Sequence, residues 1–87
     1  MTYKVEISPG ARRSLKKLPP EILKRVDDRI LSLADNPRPP GAEKLVGEEL
    51  TYRVRVGAYR ILYEVHDDVL VILVVRIGHR KEIYRKN

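Results

Sequence analysis

The spacing of apolar positions changes along the chain, and each change marks a new element. Tyr3, Val5 and Ile7 alternate with Lys4 and Glu6, the period of two expected of a half-buried strand. Ser8-Pro9 then predicts a helix start, because a hydroxyl caps free amides and proline needs no amide at the first helical position. Ala11, Leu15 and Leu18 fall at helical spacing, and Pro19-Pro20 is expected to stop that helix. A longer stripe follows in Ile22, Leu23, Val26, Ile30, Leu33 and Ala34, with Lys24, Arg25, Asp27, Asp28 and Arg29 expected to face water until Asn36-Pro37. Both helices need an apolar partner, so a helical hairpin lying on one sheet face is expected.

Pro37 to Gly41 reads as a proline-rich loop, and Lys44-Leu45-Val46-Gly47 leads back into strand. Three strands follow at Tyr52 to Val56, Tyr59 to His66 and Val69 to Ile77. Gly57-Ala58 and Asp67-Asp68 separate them, each a two-residue spacer suited to a tight hairpin. The pattern therefore predicts an α+β fold: an N-terminal strand, a two-helix hairpin, then a three-stranded antiparallel meander. The helices pack on one face of the resulting four-stranded sheet. Residues 1–87 contain no repeat or low-complexity tract and read as one domain, near the lower size limit for a single core.

Composition narrows the chemistry. There is no cysteine, which removes disulfides and thiolate metal sites. The longest apolar run, Val69 to Val75, is too short for a membrane helix, and Met1 to Ser8 lacks a signal-peptide apolar region. The expectation is a soluble cytoplasmic protein with no membrane partner. Lys and Arg number 18 against 12 acids, a net charge of +6 that favours polyanions without selecting among them. The placement of charge says more. Between Leu50 and Asn87, Arg53, Arg55 and Arg60 form one basic cluster, and Arg80, Lys81, Arg85 and Lys86 form another.

Arg53 and Arg55 share one face of their strand. If Gly57-Ala58 is the turn, Arg55 opposes Arg60, and three arginines gather on one patch. Like charges directly opposite are destabilising, so stability does not favour this pairing. A phosphate site would explain it, since guanidinium matches phosphate oxygens with a planar fork of donors. The other reading is a set of solvated arginines, or arginines paired with Glu48, Glu49 or Glu64.

A second candidate group, Gly78-His79-Arg80-Lys81-Glu82-Ile83-Tyr84, follows the most apolar strand. Gly78 would let the chain leave the sheet sharply. An imidazole, a guanidinium and a phenol within six residues suit proton transfer and charge stabilisation in phosphodiester cleavage. There is no carboxylate pair placed for two-metal hydrolysis, no Gly-rich phosphate loop with lysine and no nucleophilic serine motif. With His66 and His79 the only histidines, no metal or cofactor is expected. Metal-free cleavage would draw on the substrate's own nucleophile, and RNA supplies one in its 2′-hydroxyl.

The order of elements, with Lys44-Leu45-x-Gly47, Tyr52-Arg53-x-Arg55-x-Gly57-x-Tyr59-Arg60 and Gly78-His79-Arg80 with Tyr84, resembles the RelE/ParE superfamily of toxins. The ending looks like the RelE branch of messenger RNA interferases. The resemblance implies a toxin of a type II toxin–antitoxin system that cuts message in the ribosomal A site by 2′-hydroxyl attack. It implies a RelB-like antitoxin as partner, with the complex binding operator DNA. By carry-over, Arg60 would hold the scissile phosphate, Arg80 would stabilise developing charge and Tyr84 would orient the nucleotide. Arg53 and Arg55, with Lys44 and Lys81, would bind RNA, and Arg55 would also stabilise charge as one of the catalytic group. Arg53 and Arg55 stand where RelE relatives have lysines, and arginine surrenders its proton far less readily. His79 is then the better proton acceptor by chemistry. The competing expectation is a ParE-like inhibitor of DNA gyrase without nuclease activity.

Overall fold

Ser8 organises the first turn of the protein. In the computed structural model, which describes residues 2–79, its hydroxyl accepts from the Ala11 amide at 3.1 Å and donates to the Val75 carbonyl at 3.2 Å. The first contact caps helix α1 (Pro9–Lys16), and the second ties that cap to the sheet. Pro20 opens the next helix, α2 (Pro20–Asp35), where its missing amide costs nothing, so the proline pair both stops one helix and starts the other.

The strands are β1 (Lys4–Ile7), β2 (Glu43–Lys44), β3 (Thr51–Val56), β4 (Tyr59–His66) and β5 (Val71–His79). They form one sheet in the order β1-β5-β4-β3-β2. β1 lies at an edge, parallel to β5, and the other neighbours are antiparallel. The expected α+β architecture is present, with β2 as a fifth strand that two residues could not announce by periodicity. The helices cover one face. Val26, Ile30 and Leu33 meet Val54, Ile61, Val65, Ile72 and Val74 there, all buried. Tyr63 lies fully buried among them and donates its hydroxyl to the Pro37 carbonyl at 2.6 Å, which seats the loop after α2. That burial pushes the Tyr63 hydroxyl up to about 12.

Three details of the sheet depart from the sequence pattern. The β4–β5 turn takes four residues, Asp67 to Leu70, rather than the two expected, and β5 begins at Val71. Val69 is 62% exposed and Leu70 adopts φ +56°, a left-handed conformation uncommon for a side chain of its kind. An apolar run hid this turn. Gly78 does not release the chain but stays in β5, paired with Arg60. Finally, the β4–β5 register slips between Leu62 and Tyr63: Leu62 pairs with Arg76 and Tyr63 with Val74, leaving Val75 as a bulge. The bulge reverses the facing of every later residue in β5, so Arg76 and Ile77 exchange the faces that simple alternation assigns them.

Candidate phosphate-binding face

The sheet face opposite α1 and α2 carries the arginines. Gly57-Ala58 is the turn, with Gly57 at φ +60°, and Val56 pairs with Tyr59. Arg55 therefore sits directly opposite Arg60, with Arg53 one step along the same face. Gly41, Glu43, Arg53, Arg55 and Arg60 line a common cleft of about 210 Å³. On the far side of Arg60 stands Gly78, which adds no side chain to that face. Arg55 is exposed, whereas Arg60 is only 8% exposed, on a central strand with its Nη1 donating to the Tyr59 carbonyl at 3.4 Å. A guanidinium held in this way is oriented before any ligand arrives.

Glu43 is the residue that sequence reasoning missed. It pairs with Arg53 across the β2–β3 ladder and accepts a hydrogen bond from its guanidinium in a salt bridge. Glu48, Glu49 and Glu64 were the partners considered from sequence. Glu64 instead meets His66 at 2.8 Å, and Glu48 accepts from the Thr51 hydroxyl at 3.2 Å. The Arg53 hydrogen bond and charge hold the Glu43 carboxyl below its usual range, with smaller contributions from Arg55 and Arg60. A single anion thus already lies within the field of three arginines. Arg76 was missed as well. The bulge turns it onto the same face, beside Leu62, where it is exposed.

Other sequence candidates lie elsewhere. Lys44 pairs with Tyr52, which puts it on the opposite side of the edge from Arg53. His79 pairs with Tyr59 and so points to the helix face. Its ring meets Tyr59 edge-on at 5.6 Å, beside a cleft of about 250 Å³ bordered by Ser14, Lys17 and Leu18 of the α1 segment. Arg80, Lys81 and Tyr84 lie outside the described residues. Among the described residues no helix is long and apolar enough to cross a membrane.

Comparison with known proteins agrees with this arrangement. Residues 5–84 match the family described as ParE toxin of type II toxin-antitoxin system, parDE. The chain belongs to the RelE/ParE toxin superfamily. Among curated relatives, Toxin RelG of Mycobacterium tuberculosis is 38% identical over 99% of this chain and 100% of its own length. The solved toxin–antitoxin complex RelBE2 from the same organism contains a chain 34% identical to this one. It superposes with a TM-score of 0.81, covering 92% of this chain and 93% of that one. The mRNA interferase toxin RelE of Escherichia coli is 26% identical over 97% of this chain and 92% of its own. The protein is thus a toxin of the RelBE type, and its described residues build two helices and a five-stranded mixed sheet. In this RelE-like chain, the motif arginines converge on the sheet face opposite α1 and α2.

Proposed function

We propose that this toxin is a metal-independent endoribonuclease that cleaves messenger RNA in the ribosomal A site. The observation that carries the reading is the pairing of Arg55 with Arg60 beside Arg53 in one cleft. Such an array suits a phosphodiester whose negative charge grows in the transition state. The substrate's 2′-oxygen forms a bond to the adjacent phosphorus and the bond to the 5′-oxygen breaks. The 2′-hydroxyl gives up its proton and the leaving oxygen gains one, yielding a 2′,3′-cyclic phosphate and a 5′-hydroxyl.

Arg60 binds the non-bridging phosphate oxygens, and Arg53 and Arg55 hold the backbone and spread the charge. Arg80, Lys81 and Tyr84 enter this reading through sequence resemblance: Arg80 at the leaving oxygen, Tyr84 against the nucleotide and Lys81 on the backbone. Lys44 contacts RNA from the strand edge. His79 serves as proton acceptor only if the RNA passes the end of β4 and β5, because its ring lies on the other face. The toxin acts in the cytoplasm and is restrained by a RelB-like antitoxin, a partner supported by the solved RelBE2 complex of a relative. The joint complex is proposed to bind operator DNA.

Cleavage mapping in a translating extract tests this. Wild-type protein is expected to cut within A-site codons and leave cyclic-phosphate ends. Arg60→Ala should lower cleavage by about 10²–10³-fold, the usual cost of one charge-stabilising donor. His79→Ala, assayed from about pH 5.5 to about 8, leaves the mechanism if the rate profile is unchanged. Intact message, with gyrase-dependent DNA breaks in a parallel assay, would instead assign the protein to the ParE type of inhibition.

A further inference from the structure

A second concentration of positive charge lies around the edge of the sheet from the cleft. β2 pairs with β3 only at Tyr52 and Arg53, and further along the chain the residues Arg55 to Gly57 lie beside α2. There, Arg25, Asp28, Arg29 and Ser32 form a stripe at i, i+3, i+4 and i+7, opposite Arg55 and Gly57. Together they line an open groove of about 460 Å³. The sequence pattern expected Arg29 to face water. It is half-buried, and among the described residues its Nε is buried without a hydrogen-bond partner. The Arg25 guanidinium lies across Gly57, 3.6 Å from where a Cβ would stand, an ordinary contact distance, and it is the φ of +60° that favours glycine at this turn.

The groove's charge is not balanced from within. Its one carboxylate, Asp28, pairs outward with Lys24 at 3.6 Å. Among the described residues, Arg25, Arg29 and Arg55 make no salt bridge. Arg25 and Arg29 are also like charges four residues apart, an arrangement unfavourable to the helix itself. Three guanidiniums around an open groove call for an anion. Arg55 lines both this groove and the cleft of Arg53 and Arg60, so the two are continuous across the β3 edge.

We propose that the groove between α2 and the free edge of β3 is a second anion site, which takes a flanking phosphate of the RNA strand whose scissile phosphate lies in the arginine cleft. The proposal rests on the nuclease reading above and deepens it. The substrate is a single strand long enough to turn around the edge at Arg55, and its grip comes from phosphate rather than base. An acidic protein segment is the competing occupant. Continuity with the cleft favours RNA, because one backbone satisfies both sites with phosphates in succession.

The test uses the full chain and 2′-O-methyl oligoribonucleotides, which lack the attacking hydroxyl and stay intact. Affinity for a dinucleotide and for an octamer is measured over a range of salt concentrations, for wild type, Arg25→Gln, Arg25→Lys and Arg60→Ala. For the octamer, Arg25→Gln should reduce the slope of log affinity against log salt by about 0.7, the release expected from one single-strand phosphate contact. Its affinity should fall several-fold, with Arg25→Lys restoring most of the loss. The dinucleotide should not distinguish Arg25→Gln from wild type. Arg25 is exposed, and matched thermal melts verify that its variants are folded. An unchanged octamer slope in Arg25→Gln, with Arg60→Ala weakening both ligands, overturns the groove and spares the nuclease reading. The same holds if Arg25→Gln weakens only an acidic peptide, which gives the groove to a protein. If Arg60→Ala binds both oligonucleotides as wild type does, the nuclease reading falls and this proposal with it.

Discussion

Arg55 and Arg60 face each other across a two-residue hairpin, and that pairing has a measurable cost. Like charges directly opposite in a sheet are worth about 0.2–1 kcal/mol of instability. Arg55→Thr removes the repulsion and introduces a better strand former, so urea denaturation should show a gain of about that size. The same variant should bind RNA more weakly, as expected when a binding group is retained against stability. Glu43 makes the complementary case. Its carboxylate competes with any incoming phosphate for Arg53. Glu43→Gln should therefore tighten binding of a non-cleavable oligoribonucleotide at low salt, measured by titration. Equal or weaker binding would show that the carboxylate orients Arg53 more than it obstructs it. The three cleft arginines were legible because a period of two and a two-residue turn fix the facing of each. Glu43 was not: a strand of two residues has no period to read.

Among the elements, the β4–β5 turn and the loop after α2 are fastened through Asp67. Arg38 donates to Asp67 through Nη2 at 2.7 Å, the Tyr3 hydroxyl donates to it at 2.5 Å, and Arg38 Nε donates to the Tyr52 hydroxyl at 3.0 Å. The Arg38 hydrogen bond, then that from Tyr3, holds the Asp67 carboxyl below its usual value of 3.8. A carboxyl depressed in the folded state contributes stability that is complete above the unfolded value and lost as pH falls through the folded one. Asp67→Asn should accordingly lower the melting temperature at neutral pH, and the gap to wild type should close as pH falls through the depressed folded-state value. A gap that persists in strong acid would mean that the turn needs the side chain's shape rather than its charge. Little of this was readable in the chain. Asp67-Asp68 signalled a turn, but the apolar run from Val69 concealed its length, and partners 29 and 64 residues away leave no local pattern. The bulge at Val75 was equally silent, since it depends on the match between β4 and β5 rather than on either strand's sequence. Ser8 was read as a helix cap, and its second bond, to the bulge carbonyl, is a tertiary fact.

At the scale of the whole molecule, the two faces of the sheet divide the labour. The helices α1 and α2 bury one face, and the net charge of +6 falls partly on the other, which no helix covers among the described residues. Bringing Arg53, Arg55, Arg60 and Arg76 onto one face opposes folding, and any anion that binds them in the native state opposes that cost. Inorganic phosphate is the simplest such ligand. If the cleft binds it with a dissociation constant of about 10 mM, then about 100 mM phosphate should stabilise the fold by about 1.4 kcal/mol through linkage. For a domain of this size, that corresponds to a rise in melting temperature of roughly 6–11 °C over chloride at matched ionic strength. General screening acts equally in both salts, so the difference between them isolates the site. Arg60→Ala should abolish most of the difference while leaving the common salt effect in place. Should phosphate and chloride stabilise wild type alike, the arginines would form a diffuse positive surface rather than a preformed cleft, and the proposed cleavage would need its substrate aligned by something other than this face.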